Sequence, residues 1–455
     1  MDRFIEKYVF TFPGFSEIRW EEREVLSFLV EDGRVKTVTS FQLKGVFFRF
    51  LTRDGWVTSS CSRWDIREWE KIWQEITSSI TPLKAGFSLT PIREKRIHPF
   101  EEPLDKVGLE EKKGLLKKIE KIARKESEKI VHTRLSYTEE IVRRGVANSY
   151  GVKVEELIPR VGLRLMVVAE EGKERQASFE TLAWTGGFEK MRNLSGEEFS
   201  LAPVKRAIEL LRADSPPRGV FPAILSPEVT GILAHEALGH NLEGDHIINR
   251  QSLLQGKMGE RIASPHVTLI DDPTYPSAYG SYFFDDEGSP ARKKVLVREG
   301  KVVGLLHSLE TALKLHSVPT GNARAQDYHH PPLVRMSNTY FLPGESSLEE
   351  MMDRMGEGIL VEKVGRGGYV LPEKGDFMFN IDYSWKIEGG RKKKLLKNVS
   401  LAGNTLRTLY SVKEASSHFA LSGSGGICGK EGQGVPVDDG GPYFWVEKIL
   451  VGGRS

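Results

Sequence analysis

The sequence predicts an α+β protein in two parts: an N-terminal α/β domain of hairpins and helices over 1–213, and a C-terminal β-rich domain over 218–455. Three observations carry that expectation. Strand-like runs early in the chain are separated by Asp-Gly pairs, which suit the positive φ values of tight hairpin turns. Asp214-Ser-Pro-Pro-Arg-Gly is the strongest linker signal, and the domain boundary is placed there. Beyond it the chain becomes glycine-rich, with many short strand signals and few helices, as in an antiparallel sheet closed into a barrel or folded as a sandwich. A length of 455 residues accommodates two or three domains at roughly 150 residues each.

The elements follow in order. Residues 25–30 and 34–39 flank Asp32-Gly33, and 45–51 and 56–60 flank Asp54-Gly55, giving two hairpins. Asp65 is a suitable N-cap for a helix whose Ile66, Trp69, Ile72, Trp73 and Ile76 recur at helical spacing, so the tryptophans are expected in the core. Residues 81–107, rich in Pro and charge, read as a connection. A basic segment, 112–129, sets Leu115, Leu116, Ile119 and Ile122 on one stripe and is expected as a solvated surface helix. Strands are expected over 139–147 and 160–170, then a helix over 204–211. The β-rich half shows strand signals at 293–297, 302–306, 377–383 and 444–451.

Bulk composition excludes several functions. With 65 basic and 63 acidic side chains the net charge is +2, which supports neither nucleic-acid binding nor membrane adsorption. No apolar run is long enough to span a bilayer, and the start lacks a signal-peptide pattern, so a cytoplasmic protein is expected. Two cysteines, Cys61 and Cys428, cannot build a disulfide framework.

Chemistry concentrates in Ser226-Pro-Glu-Val-Thr-Gly-Ile-Leu-Ala-His-Glu-Ala-Leu-Gly-His-Asn-Leu-Glu-Gly-Asp. Ser226 suits an N-cap and Pro227 the first helical position. Val229, Leu233 and Ala237 mark the packed stripe, and His235 points nearly opposite to it, as if lining a cleft. His235-Glu236 and His240 form His-Glu-x-x-x-His, one residue longer than the familiar zinc motif. On an unbroken α-helix residues five apart diverge by about 140°. The two imidazoles can therefore share a metal only if the helix loosens between them, which Gly239 would permit. Glu236 supplies the carboxylate that hydrolysis needs beside a bound water. A catalytic zinc takes a third protein ligand, for which Cys428, Glu243, Asp245 and His246 are the candidates.

His235-Glu-Ala-Leu-Gly-His240-Asn-Leu-Glu-Gly-Asp245 resembles the signature of the TldD subfamily of TldD/PmbA proteins, described as metalloproteases and historically as modulators of DNA gyrase. Asp271-Asp-Pro-Thr, Asp285-Asp-Glu-Gly-Ser-Pro, Pro319-Thr-Gly-Asn-Ala-Arg324, Arg335-Met-Ser-Asn-Thr-Tyr-Phe-Leu-Pro-Gly344 and Cys428-Gly-Lys-Glu-Gly-Gln match in the family's order. The family's PmbA (TldE) branch lacks the histidine motif, so the resemblance is to the TldD side. It implies zinc on His235, His240 and Cys428, with Glu236 as general base. It also implies a dimer, either a homodimer or a heterodimer with a PmbA/TldE-like chain. Residues 246–250 depart from the family pattern, leaving His246 without an assigned role.

The expected function is a zinc-dependent peptidase acting on unfolded or small peptides. Its rivals are a non-enzymatic regulator of the gyrase-modulator type with a structural metal, and a metal amidohydrolase on a small modified substrate. Asn322, Arg324, Arg335, Asn338 and Thr339 are weaker candidates for substrate binding, the last three by strand addition. Glu243 and Asp245 are expected to orient the ligands or cap the frayed helix more than to bind metal. Adjacent His329-His330 point to opposite sides of an extended chain and do not suit one metal. Asp285-Asp286-Glu287 reads as a polar turn, and Cys61 as an incidental thiol.

Overall fold

The computed structural model describes residues 1–87 and 89–453; Ser88, inside the expected connection 81–107, and Arg454 and Ser455 at the end of the C-terminal part lie outside the described residues. The first sheet comprises β1 (Ser16–Glu31), β2 (Arg34–Thr52), β3 (Gly55–Cys61), β4 (Arg93–Ile97), β5 (Ile130–Asn148), β6 (Lys153–Glu171) and β7 (Glu174–Thr185). Their order is β3-β2-β1-β5-β6-β4, with β7 also on β6, and every pairing is antiparallel except β4 with β6. Asp32 (φ 47°) and Gly33 (φ 79°) make the expected two-residue turn, because both central positions are left-handed.

Strand β1 starts well before the apolar patterning shows, and buried charge in that extension is the reason. Glu17, Arg19 and Arg49 lie in strands yet are almost wholly buried. Arg49 pairs with Glu17 and with Glu287, both at 2.9 Å, while Arg144 pairs with Asp286 at 3.0 Å. These contacts pin the first sheet to the 285–287 turn of the C-terminal half, which is the polar turn read from sequence. Burial pushes the Glu17 carboxyl up to about 7 against the opposing pull of Arg49.

Asp65 caps the helix Ile66–Ser79 by accepting from the Arg67 N–H, and Trp69 and Trp73 enter a core with Phe4, Phe48 and Phe50. The basic helix, Leu109–Lys125, differs from expectation. Its Leu116 and Ile119 are buried against the first sheet and the helix Gly196–Leu210, and Lys112 forms a buried pair with Glu139 at 2.6 Å. The stripe is a core face, and only the opposite side is solvated. The connection 81–107 holds one strand, β4, whose charged sequence concealed it.

The second sheet comprises β8 (Gly219–Leu225), β9 (Leu269–Asp271), β10 (Lys294–Arg298), β11 (Lys301–Val302), β14 (Asn338–Phe341), β15 (Gly358–Leu371), β16 (Asp376–Glu388), β17 (Arg391–Leu396), β18 (Val399–Asn404), β19 (Val412–Leu421), β20 (Gly426–Lys430) and β21 (Gln433–Gly453). Between β11 and β14, β12 (Ala323–Arg324) and β13 (Leu333–Val334) pair separately. Strand β21 pairs with both β18 and β8, so β21-β18-β16-β15-β8 closes on itself as a barrel, with β15 and β8 parallel. Leu225, Phe341, Phe379, Leu401 and Phe444 fill its core together with Leu233 from the histidine segment. Strand β20 pairs only with 433–437 of β21, so it reaches out as a hairpin.

Candidate metal centre

The histidine segment follows β8. Ser226 precedes the helix Pro227–Ile232 as expected, but its hydroxyl donates to the Glu362 carbonyl at 3.0 Å and does not cap. Over Leu233–Leu238 the ladder widens to a π-helix, and Gly239–Leu242 tightens to a 3₁₀ turn. An i→i+5 ladder brings residues five apart onto adjacent turns, which removes the divergence an α-helix would impose. The His235 and His240 rings accordingly lie 5.2 Å apart, edge to face.

Gly239 acts differently from expectation. Its φ of −58° is ordinary helical backbone, so conformational freedom is not what the position needs. A Cβ there would lie 2.0 Å from Met336 Sδ and 2.9 Å from the Ala234 carbonyl, so the glycine makes room for Met336. His235 is buried together with Val229, Leu233 and Ala237, and the side chain left exposed in this run is that of Glu236, at 48%.

Cys428 arrives on β20. Its Sγ is 3.5 Å from His240 Nε2, and one donor atom each from His235, His240 and Cys428 lie within 4.8 Å of one another. Among the described residues neither ring nitrogen of His235 makes a directed hydrogen bond, although both are buried. Buried imidazole nitrogens normally find a partner, so this donor set is arranged as a metal site is. Burial would push the Cys428 thiol up, but His235 and His240 beside it pull it down to about 5. Burial likewise opposes charge on the imidazoles, yet Cys428 raises His235 and Glu243 raises His240. The two imidazoles thus favour the thiolate, the form that binds metal.

A second ring of contacts fixes His240. Glu243, fully buried, places Oε2 3.2 Å from His240 Nδ1, which turns Nε2 toward Cys428. Burial disfavours the Glu243 carboxylate, but His240 and Lys430 override it and hold its pKa at about 2. Lys430 Nζ lies 2.8 Å from Glu243 Oε2 and 2.7 Å from Asp245 Oδ2. Asp245 therefore acts on the site through Lys430. His246 Nδ1 lies 2.9 Å from the His240 carbonyl oxygen, and it groups with Glu243 and Asp245 apart from the His235–His240–Cys428 set. Sequence reasoning missed Lys430. The available signal was alternation, since residues 428 and 430 of one strand face the same side.

The five residues expected at the substrate are buried and hydrogen-bonded within the protein, where strand addition cannot reach them. Asn322, Arg335, Asn338 and Thr339 are fully buried and Arg324 nearly so. Strand β14 has β9 on one side and β21 on the other, leaving no free edge for strand addition. Arg335 donates to the Cys428 carbonyl, and Arg324 to the carbonyls of Met336 and Pro436 at 2.7 Å. Asn322 and Thr339 bond Asp271, and Asn338 bonds the Asp272 carbonyl. They brace the wall that carries Cys428. His329 and His330 sit in a separate loop with Asp327. Cys61 contacts the Arg63 carbonyl at 3.6 Å and does not belong to the His235–His240–Cys428 cluster.

An open trough of about 620 Å³ crosses the face of the first sheet, lined by Arg23, Phe41, Thr138, Gly162 and Arg164. Gly426 and Ile427, which precede Cys428, form one wall.

Known proteins resemble this chain along its length. Residues 218–453 match the PmbA/TldA metallopeptidase C-terminal domain, 102–213 the central domain and 16–72 domain 1. A protein named metalloprotease from Methanothermobacter thermautotrophicus is 37% identical over 96% of this chain and 95% of its own length. A metalloprotease TldD homolog from Haemophilus influenzae is 29% identical over 97% and 93%. In fold the chain is similar to a Thermotoga maritima crystal structure described as a candidate modulator of a DNA gyrase, with a TM-score of 0.80 and 22% identity over 96% of each chain.

Proposed function

The chain belongs to the PmbA/TldD family of metallopeptidases, and from that premise we propose that it is a zinc-dependent peptidase cleaving unfolded or small peptides. The observation that carries this reading is a buried donor set, His235, His240 and Cys428, with one exposed carboxylate, Glu236, at its side. Two imidazoles and a thiolate suit zinc, and three protein donors leave a position open for water, as catalytic sites do and closed structural sites do not.

His235, His240 and Cys428 would hold the metal. Bound zinc supplies Lewis acidity and lowers the pKa of water to about 7. Glu236, whose Oε2 is 3.8 Å from His240 Nε2, would accept the proton of the attacking water and return it to the leaving amine. Glu243 keeps Nδ1 of His240 engaged, so the ring presents Nε2. The open trough supports a chain-like substrate: its floor at Gly162 borders open space, where a Cβ would meet no atom within 4 Å. We further propose that the protein works in the cytoplasm as a dimer, with itself or with a PmbA/TldE-like chain.

The test is a comparison of three substrates: an unstructured peptide of about ten residues, a folded protein and a small acyl amide. The expected result is cleavage of the unstructured peptide alone, lost on chelation and restored by zinc. Cleavage that survives chelation, or hydrolysis of the amide alone, would overturn the reading.

A further inference from the structure

We propose that Lys430 is a positioning residue of the metal centre, holding Glu243 against His240 so that the ring offers Nε2 to the metal. This rests on the reading of His235, His240 and Cys428 as metal ligands. The Lys430 side chain is only 6% exposed, and its Nζ lies 2.8 Å from Glu243 Oε2, 2.8 and 2.7 Å from the two Asp245 oxygens and 3.1 Å from the Val334 carbonyl oxygen. An ammonium group has three protons to donate and is strongly hydrated in water, so burying it is unfavourable unless carboxylates receive it. Here two do, and one of them is the carboxylate that engages His240.

A single oxygen carries the linkage. Glu243 Oε2 meets both His240 Nδ1 and Lys430 Nζ, while Oε1 has no hydrogen-bond partner among the described residues. The hydrogen bonds that orient the carboxylate come from Lys430 on one side and the His240 imidazole on the other, with His246 Nδ1 further off at 3.6 Å from the same oxygen. Alternation along β20 puts Cys428 and Lys430 on one face and Ile427, which is exposed, on the other. One short strand thus delivers both the sulfur donor and the cation that orders the second imidazole. The β20 hairpin lies 188 residues beyond His240, so docking it completes ligand and support together.

Outer contacts of this kind, when removed, typically lower metal affinity by about 10- to 100-fold. The experiment measures zinc affinity by competition with a chromophoric chelator, and the visible spectrum of the cobalt-loaded protein, for wild type, Lys430→Met and Lys430→Arg. Lys430→Met is expected to weaken zinc binding by about 10- to 100-fold and to shift the cobalt bands, and Lys430→Arg to recover most of both. A simple strut for the hairpin would change thermal stability and leave the cobalt spectrum of the folded protein unmoved.

Lys430→Met with wild-type affinity and spectrum would overturn the proposal. Should that variant not fold, Asp245→Asn loosens Lys430 without touching His240, and a loss in the same direction is expected; unchanged affinity would again overturn it. A wild type that binds neither zinc nor cobalt would overturn both this proposal and the metal reading beneath it. Normal wild-type binding with an unaffected variant overturns the role of Lys430 alone.

Discussion

Glu236→Gln is expected to lower peptide cleavage by about 10²- to 10⁴-fold, the usual contribution of a positioned general base, and to leave the metal content unchanged. The amide matches the carboxylate in shape but cannot take a proton from water. Glu236 lies outside the donor set of His235, His240 and Cys428, and its side chain is half-exposed where theirs are buried, so folding and ligation should not depend on it. The loss should fall on kcat, because the proton is transferred only in the reacting state. Cleavage at the wild-type rate would remove the mechanism proposed for this centre. A parallel loss of metal would make Glu236 a ligand instead.

Cys428→Ala is expected to abolish stoichiometric zinc binding, whereas Cys61→Ala should retain it. Removing a direct donor should exceed the roughly 10- to 100-fold cost of losing an outer contact. The thiolate does more than bind. It raises His235 more than Glu236 does, so without it two buried imidazoles are left facing one another with less to offset their charge. Metal analysis after dialysis, with circular dichroism to confirm folding, reads the result. Equal zinc in the two variants would reject Cys428 as a ligand.

Short-range signals in the sequence translated directly. Asp32-Gly33 needs two left-handed residues and has them, and Asp65 accepts the N–H its position demands. The β-rich half was legible from its glycines and short strands, but closure was not, because it depends on β21 meeting β18 and β8 from distant parts of the chain. Strand β1 ran past the apolar pattern because Glu17 and Arg19 are buried as partners of one another, of Arg49 and of Asp286 in the other half. Hydrophobic periodicity cannot report burial that is offset by ion pairs.

At the site, the spacing of His235 and His240 carried the requirement that the helix depart from α geometry, and the π-helix over Leu233–Leu238 is that departure. Its location before Gly239 was not legible, since the glycine serves contact with Met336, a residue nearly 100 positions away. Cys428 was one of four third-ligand candidates among the residues, and its selection came from the resemblance and not from spacing. The substrate assignments to Asn322, Arg324, Arg335, Asn338 and Thr339 misplaced them because polar residues in a strand-like run look exposed until the neighbouring strands are known. Lys430 hid for the complementary reason: a lysine in a glycine-rich run reads as solvated unless the facing carboxylates are seen.

One metal ion is expected among His235, His240 and Cys428. Anomalous diffraction collected on either side of the zinc edge, from crystals of protein purified without added chelator, locates it. The expected result is one strong peak per chain in contact with the two imidazoles and the Cys428 sulfur. A peak held instead by Glu243, Asp245 and His246, or zinc-loaded crystals with no peak at the Cys428 sulfur, would contradict it.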